Sequence, residues 1–130
     1  MDVKLEDGVE YTFRSNQGDG DRKEKIRDLI LAPLDGGSVI AAQLESEVPI
    51  YHGGGLQLMT SPTLMGLNVL RRQVKKVGDL NGPLTIDQLK QVSPRDMAIL
   101  QIAAEKLDEA MANTEGLASR GRNETAQSAG

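Results

Sequence analysis

The chain has 130 residues, a net charge of −4, 38% apolar and 26% charged residues, one histidine and no cysteine. That length suits one domain. The missing cysteine excludes disulfides and thiolate zinc sites, no apolar run reaches the roughly 18 residues of a membrane span, and the acidic balance argues against broad nucleic-acid binding.

The opening "MDVKLEDGVEY" lacks the charged-then-apolar layout of a secretory signal, so a cytoplasmic setting is expected. Tyr11, Phe13 and Tyr51 are the only aromatic residues. The core must therefore be aliphatic, and modest stability, helped by a partner or by self-association, is expected.

Val3 and Leu5, then Val9, Tyr11 and Phe13, alternate with polar residues on either side of Glu6-Asp7-Gly8. A three-residue loop there sets Leu5 opposite Val9 and Val3 opposite Tyr11 and keeps one face apolar. Residues 1–13 thus read as a hairpin with Gly8 left-handed. The polar loop 14–25 offers no register with calcium-ligand spacing. "KIRDLILAP", residues 25–33, fits a third strand by length and ends at Pro33. Ser38 is expected to cap a short helix over 38–46. Residues 47–60 read as an irregular, flexible connection.

Ser61-Pro62 has the chemistry of a helix start. Leu64, Leu67, Leu70, Val74 and Val77 then form one apolar stripe, with Gly78 as the C-terminal stop. Thr85 and Gln88 make a capping box for a short helix. Ser93-Pro94 repeats the start signal, and Met97, Leu100, Ala104, Leu107 and Met111 follow at helical spacing. Periodicity stops after Asn113, and residues 114–130 read as a disordered tail. The expected fold class is α+β. A small N-terminal antiparallel sheet (hairpin plus third strand, 1–33) precedes three to four helices in a single domain, residues 1–113.

Chemistry is sparse. "YHGGGLQLM", residues 51–59, contains the His-Gly-Gly-Gly string that some hydrolases use in an oxyanion hole. Those enzymes also need a Gly-x-Ser-x-Gly elbow and a separate catalytic histidine. Here His52 is the only histidine, so no enzyme is expected and the glycines read as a flexible connection or hinge. No phosphate loop or dinucleotide fingerprint appears. Neither a metal nor a cofactor is expected; Glu105, Asp108 and Glu109 suit a solvated helix face.

Arg71, Arg72, Lys75 and Lys76 fall along one side of the helix after Ser61. They suit the helix dipole or an acidic partner. Met59, Met65, Met97 and Met111 flank the two long helices, where methionine suits either core gaps or an adaptable surface. The candidate partner-contacting residues are Met59, Leu64, Met65, Arg71, Arg72, Lys75, Met97 and Met111.

Two stretches carry a family likeness. In "EKIRDLILAPLDGGSVIAAQ", Leu29, Leu31, Pro33, Gly36 and Gly37 form a strand, turn and helix start, with Ser38 where an Asp is common. In "LTIDQLKQVSPRDMAILQIAAEKLD", Ser93, Pro94, Asp96 and Leu100 open the last helix, with Val92 in place of a Leu. Over residues 3–109 the chain resembles the small tail assembly chaperones of long-tailed, Mu-like bacteriophages. The glycine run and the tail lie outside that pattern. The resemblance implies a non-enzymatic factor that binds the helix-rich tape measure protein, keeps it soluble, helps recruit tail tube protein and is absent from the mature virion. An aliphatic, methionine-bearing groove with soluble flanks would suit such a client. The alternative is a structural minor tail or neck protein of the virion, which the helical content after Ser61 disfavours. A helix-turn-helix regulator is disfavoured by Asp96, which would face phosphates.

Overall fold

A computed structural model describes the backbone of residues 1–14 and 20–129 and the side chains of residues 1–14 and 20–113. The elements run β1 (Asp2–Phe13), β2 (Arg22–Leu31), α1 (Gly36–Glu45), β3 (Glu47–His52), β4 (Gly55–Thr60), α2 (Pro62–Gln73), β5 (Val74–Val77), β6 (Leu80–Asn81), α3 (Ile86–Gln91) and α4 (Pro94–Ala129). One sheet has the order β1-β2-β5-β6, with every described pairing antiparallel; β3 and β4 form a separate two-stranded sheet. The class is α+β, as expected. The expected tail, residues 114–130, lies outside the residues described in full, as do residues 15–19 of the polar loop expected over 14–25; Arg22 to Lys25, the end of that loop, are instead the start of β2, held by pairing with Phe13 to Glu10.

The N-terminal hairpin has different members from those the alternation suggests. Residues 2–13 form one strand, paired along its length with β2: Val3 faces Leu29 and Val9 faces Ile26. Between Lys4 and Val9 the register shifts, so Glu6-Asp7-Gly8 is a bulge in a continuing strand and not a turn. Gly8 has φ +101°, and a Cβ there would lie 2.8 Å from the Ile26 carbonyl oxygen. Positive φ and close approach together require glycine. Leu5 and Val9 are both buried in the same core, so apolar patterning alone does not separate bulge from turn.

The apolar stripe after Ser61 also divides. Ser61 caps α2, its side chain accepting from the Leu64 N–H at 3.3 Å, but the helix ends at Gln73. Val74 and Val77 belong to β5, opposite Leu31 and Leu29, and all four are buried. A register shift between Ile30 and Leu31 lets two residues three apart both reach the core. Three-residue spacing is thus compatible with a bulged strand as well as a helix. Gly78, φ +60°, sits in the turn into β6 and does not stop a helix.

Two further corrections concern residues 35–60. Asp35 caps α1, accepting from the Ser38 N–H at 2.7 Å; that bond holds the Asp35 carboxyl below its ordinary range. Ser38 is therefore inside the helix and is not its cap. Residues 47–60 are a regular hairpin, with His52 opposite Gly55 and Gly53-Gly54 as the two-residue turn. Both turn glycines have positive φ, +63° and +82°, the signature of a type I′ turn. The glycine run is a turn, which accounts for it without an oxyanion hole or an irregular hinge.

The core lies where one face of the four-stranded sheet meets α2, α3 and α4. Leu5, Leu29, Leu31, Leu84, Leu89 and Leu100 are its largest fully buried members. The capping box on α3 is present: Thr85 and Gln88 exchange side chain-to-backbone bonds of 2.9 and 3.0 Å. Ser93 starts α4, accepting from the Asp96 N–H at 3.1 Å.

Candidate partner-binding surfaces

Two features stand out on the surface. The first is the β3–β4 arm. Every residue of β4 is exposed, and Tyr51, Leu56, Leu58 and Met59 are 85%, 62%, 65% and 52% exposed. Cross-strand pairing places Tyr51 with Leu56 and Pro49 with Leu58 on one face, and Val48 with Met59 on the other. On α1, which leads through Ser46 into β3, Ile40 and Leu44 sit one turn apart and are also exposed.

The second feature is a groove between α2 and α4. Met65, Val69 and Leu70 of α2 face Ala104, Glu105 and Asp108 of α4 across a hollow of about 320 Å³. An adjoining hollow of about 200 Å³ carries it past Val69 and Asp108 to Val39 and Met111. Among the described residues, no Lys or Arg lines either hollow. Gln73 floors both, its amide N–H reaching Asp108 at 3.5 Å. Its Oε1 is buried with no hydrogen-bond partner among the described residues, an uncommon condition for a native side chain.

The structure scatters the eight sequence-selected residues. Met65 and Met111 line the groove, and Met59 lies on the arm. Leu64 is half-buried on α2, and Met97 packs against the core. Lys75 is exposed on β5, so the four cations do not share one helix face. Arg71 and Arg72 both bind the Glu45 carboxylate. Arg71 also donates to Asn68 Oδ1 at 2.8 Å and to the Leu84 carbonyl at 3.2 Å. Asn68 in turn donates to buried Ser46 Oγ at 2.8 Å. The hydrogen bond from Arg72, and then that from Arg71, outweigh burial and hold Glu45 below the ordinary carboxylate range. These arginines fasten α1 to α2; they are not free cations.

Sequence reasoning missed the arm residues Tyr51, Leu56 and Leu58. Their signal was present: apolar runs on both sides of Gly53-Gly54 mark a hairpin. Among the described residues, no group of three or more His, Asp or Glu side chains could hold a metal ion. No described helix is long and apolar enough to cross a membrane.

Fold and surface define a small α+β protein whose main exposed features are an apolar hairpin and an acid-rimmed helical groove. The family described as "Tail assembly protein gp41" matches residues 7–122. The chain belongs to this Mu-like phage tail assembly family, and its role is in tail assembly. It is 36% identical over 110 residues to the probable tail assembly protein gp41 of Escherichia phage Mu, covering 85% of this chain and 72% of that protein. It is equally similar to the probable tail assembly protein FS-gp41 of the same phage, spanning 55% of its length. It is 32% identical over 105 residues to the Mu-like prophage FluMu protein gp41 of Haemophilus influenzae, covering 80% of this chain and 81% of that protein. No solved structure matches.

Proposed function

We propose that this chain is a tail assembly chaperone that holds a helical segment of the tape measure protein in the α2–α4 groove and keeps that client soluble until the tail is built. The observation that carries the reading is the groove itself. Its walls are aliphatic and methionine-bearing, its α4 rim carries Glu105 and Asp108, and among the described residues no cation lines it. An amphipathic helix seats its apolar stripe in such a groove, and methionine adapts to differing apolar segments of a helix-rich client. The acidic rim selects a helix with Lys or Arg beside its stripe. On this reading the protein acts in the host cytoplasm, helps bring tail tube protein to the client and leaves before the virion is complete.

The test is co-expression of the full chain with the tape measure protein of the same genome, followed by co-purification. A soluble complex is expected. The double substitution Glu105→Lys and Asp108→Lys should lower its recovery several-fold while leaving the chain folded. A wild-type chain that neither binds nor solubilises the tape measure protein would overturn the reading.

A further inference from the structure

The β3–β4 arm is a separate surface from the groove, and its backbone chemistry points to one occupant. The Ser61 N–H donates to the Ser46 carbonyl at 2.8 Å, which fixes the phase of the hairpin ladder. In an antiparallel pair, inward and outward backbone groups alternate. Counting from Ser61, Met59 and Gln57 point toward β3, whereas Thr60, Leu58 and Leu56 point their N–H and C=O groups outward. On β3 the outward positions are Glu47, Pro49 and Tyr51. Pro49 has no N–H, so the outer edge of β3 lacks a donor at its centre. The outer edge of β4 is complete, and among the described residues no strand pairs with it.

Natural sheets protect such an edge with charge, proline, a bulge or a cover. The β4 sequence "GLQLMT" has no charged residue or proline, and its pairing with β3 is regular. An isolated two-stranded hairpin is also marginal in water; a third or fourth strand makes it stable. We infer that β4 pairs antiparallel with β4 of a second copy about a two-fold axis at Leu58, joining two hairpins into one four-stranded sheet.

Self-complementarity favours a second copy over an unrelated strand. A dyad at Leu58 places Leu56 opposite Thr60 of the other copy on both sides, so six outward N–H groups and six carbonyls become available to one another. The edge is neutral, so two copies meet without like-charge repulsion. At the dyad Leu58 lies opposite Leu58 of the other copy, on the face that also carries Leu56 and Tyr51, so exposed apolar side chains meet across the seam. The inference does not depend on the client bound in the groove.

Sedimentation velocity on the full chain across a concentration series is the test. The wild type should form a dimer with a dissociation constant in the micromolar range. Leu58→Pro removes an outward donor while sparing the β3 ladder, and Leu58→Lys adds the charge that β4 lacks. Each should weaken the dimer at least tenfold without changing the far-ultraviolet circular dichroism. Amide exchange provides a readout that needs no variant: the N–H groups of Leu56, Leu58 and Thr60 should gain protection as wild-type concentration rises. A wild type that stays monomeric throughout, variants that dimerise as tightly as wild type, or unchanged exchange at these amides would overturn the inference. Tape measure co-purification by Leu58→Lys should persist, so either reading can fail without the other.

Discussion

The carboxylate of Asp96 accepts the backbone N–H of Gly8 at 2.8 Å across 88 residues of sequence. The same carboxylate accepts from Glu6 at 2.7 Å and from Asp7 at 3.1 Å. The bulge in β1 turns three successive N–H groups to one side, and the first turn of α4 inserts a fully buried carboxylate among them. Asp96 thereby joins the sheet to the last helix and satisfies donors that the β1–β2 ladder does not use. Replacing Asp96 with Ala should cost about 3 kcal/mol or more, because buried donors lose a charged acceptor together. Asp96→Asn should also destabilise, since its amide supplies one acceptor oxygen where two are used. Gly8→Ala should be comparably damaging, from strain at positive φ and from the clash with Ile26. Urea unfolding of the three variants checks this; midpoints close to wild type would show that the bulge does not need its anion.

The same contact sets a pH dependence. Burial of Asp96 works against its charge, but the N–H groups of Gly8, Glu6 and Asp7 and the Ser93 hydroxyl outweigh it and hold the folded-state pKa below the ordinary value. A depressed carboxyl pKa means that the unfolded chain binds a proton more readily than the folded one. The stabilisation is therefore full above the unfolded value, about 4, declines as pH falls from there, and is lost once pH falls through the folded value. Glu45, depressed chiefly by Arg72, acts in the same direction. Unfolding midpoints should be flat near neutrality and fall steeply below about pH 4. In Asp96→Asn that acid slope should be shallower than in wild type.

Arg71 and Arg72 share Glu45 but not the same importance. Arg71 reaches Glu45, Asn68 and the Leu84 carbonyl with a side chain only 14% exposed. Arg72 bonds Glu45 alone among the described partners. Arg71→Ala should cost roughly 1–3 kcal/mol, since it strips partners from partly buried acceptors. Arg72→Ala should cost less than about 1 kcal/mol, as for a solvent-screened pair. Thermal unfolding of both single variants and of Arg71→Ala with Glu45→Gln would separate the ion pair from the Leu84 link. Equal losses for the two arginines would contradict this ranking.

What could be read in the sequence was local chemistry. Ser61-Pro62, Thr85 with Gln88, and Ser93-Pro94 each start a helix where the cap residues say so, because a cap needs only its own next three residues. The α+β class followed from the order of strand-like and helix-like periods. The errors arose where a distant partner decides between two locally equal readings. Leu5 and Val9 suit a turn or a bulge, and the deciding group, Asp96, lies on another element. Val74 and Val77 suit a helix or a bulged strand, and the deciding contact is the open edge of β2. For the candidate surfaces, residue type alone does not place a methionine: Met65 and Met111 line the groove. Met97 carries the same residue type into contact with the core. Arg71 and Arg72 looked like free cations because Glu45, their shared partner, sits 26 and 27 residues away.

The turn at Gly53-Gly54 gives a direct contrast between a formed hairpin and a flexible glycine connection. Both residues have positive φ, and a Cβ at either would meet open space. A type I′ turn prefers Asn-Gly, because asparagine tolerates the left-handed region and is less free than glycine when unfolded. Gly53→Asn should therefore keep the hairpin and stabilise it by a few tenths to about 1 kcal/mol. A β-branched residue there, as in Gly53→Val, cannot take that conformation without strain and should loosen the hairpin by roughly 1–2 kcal/mol. The measurement is amide exchange at the inward N–H groups of Gln57 and Met59, which report hairpin opening. Protection should rise in Gly53→Asn and fall in Gly53→Val. If both variants exchanged like wild type, the three glycines would be acting as slack chain, and β3 and β4 would not be a paired unit in solution.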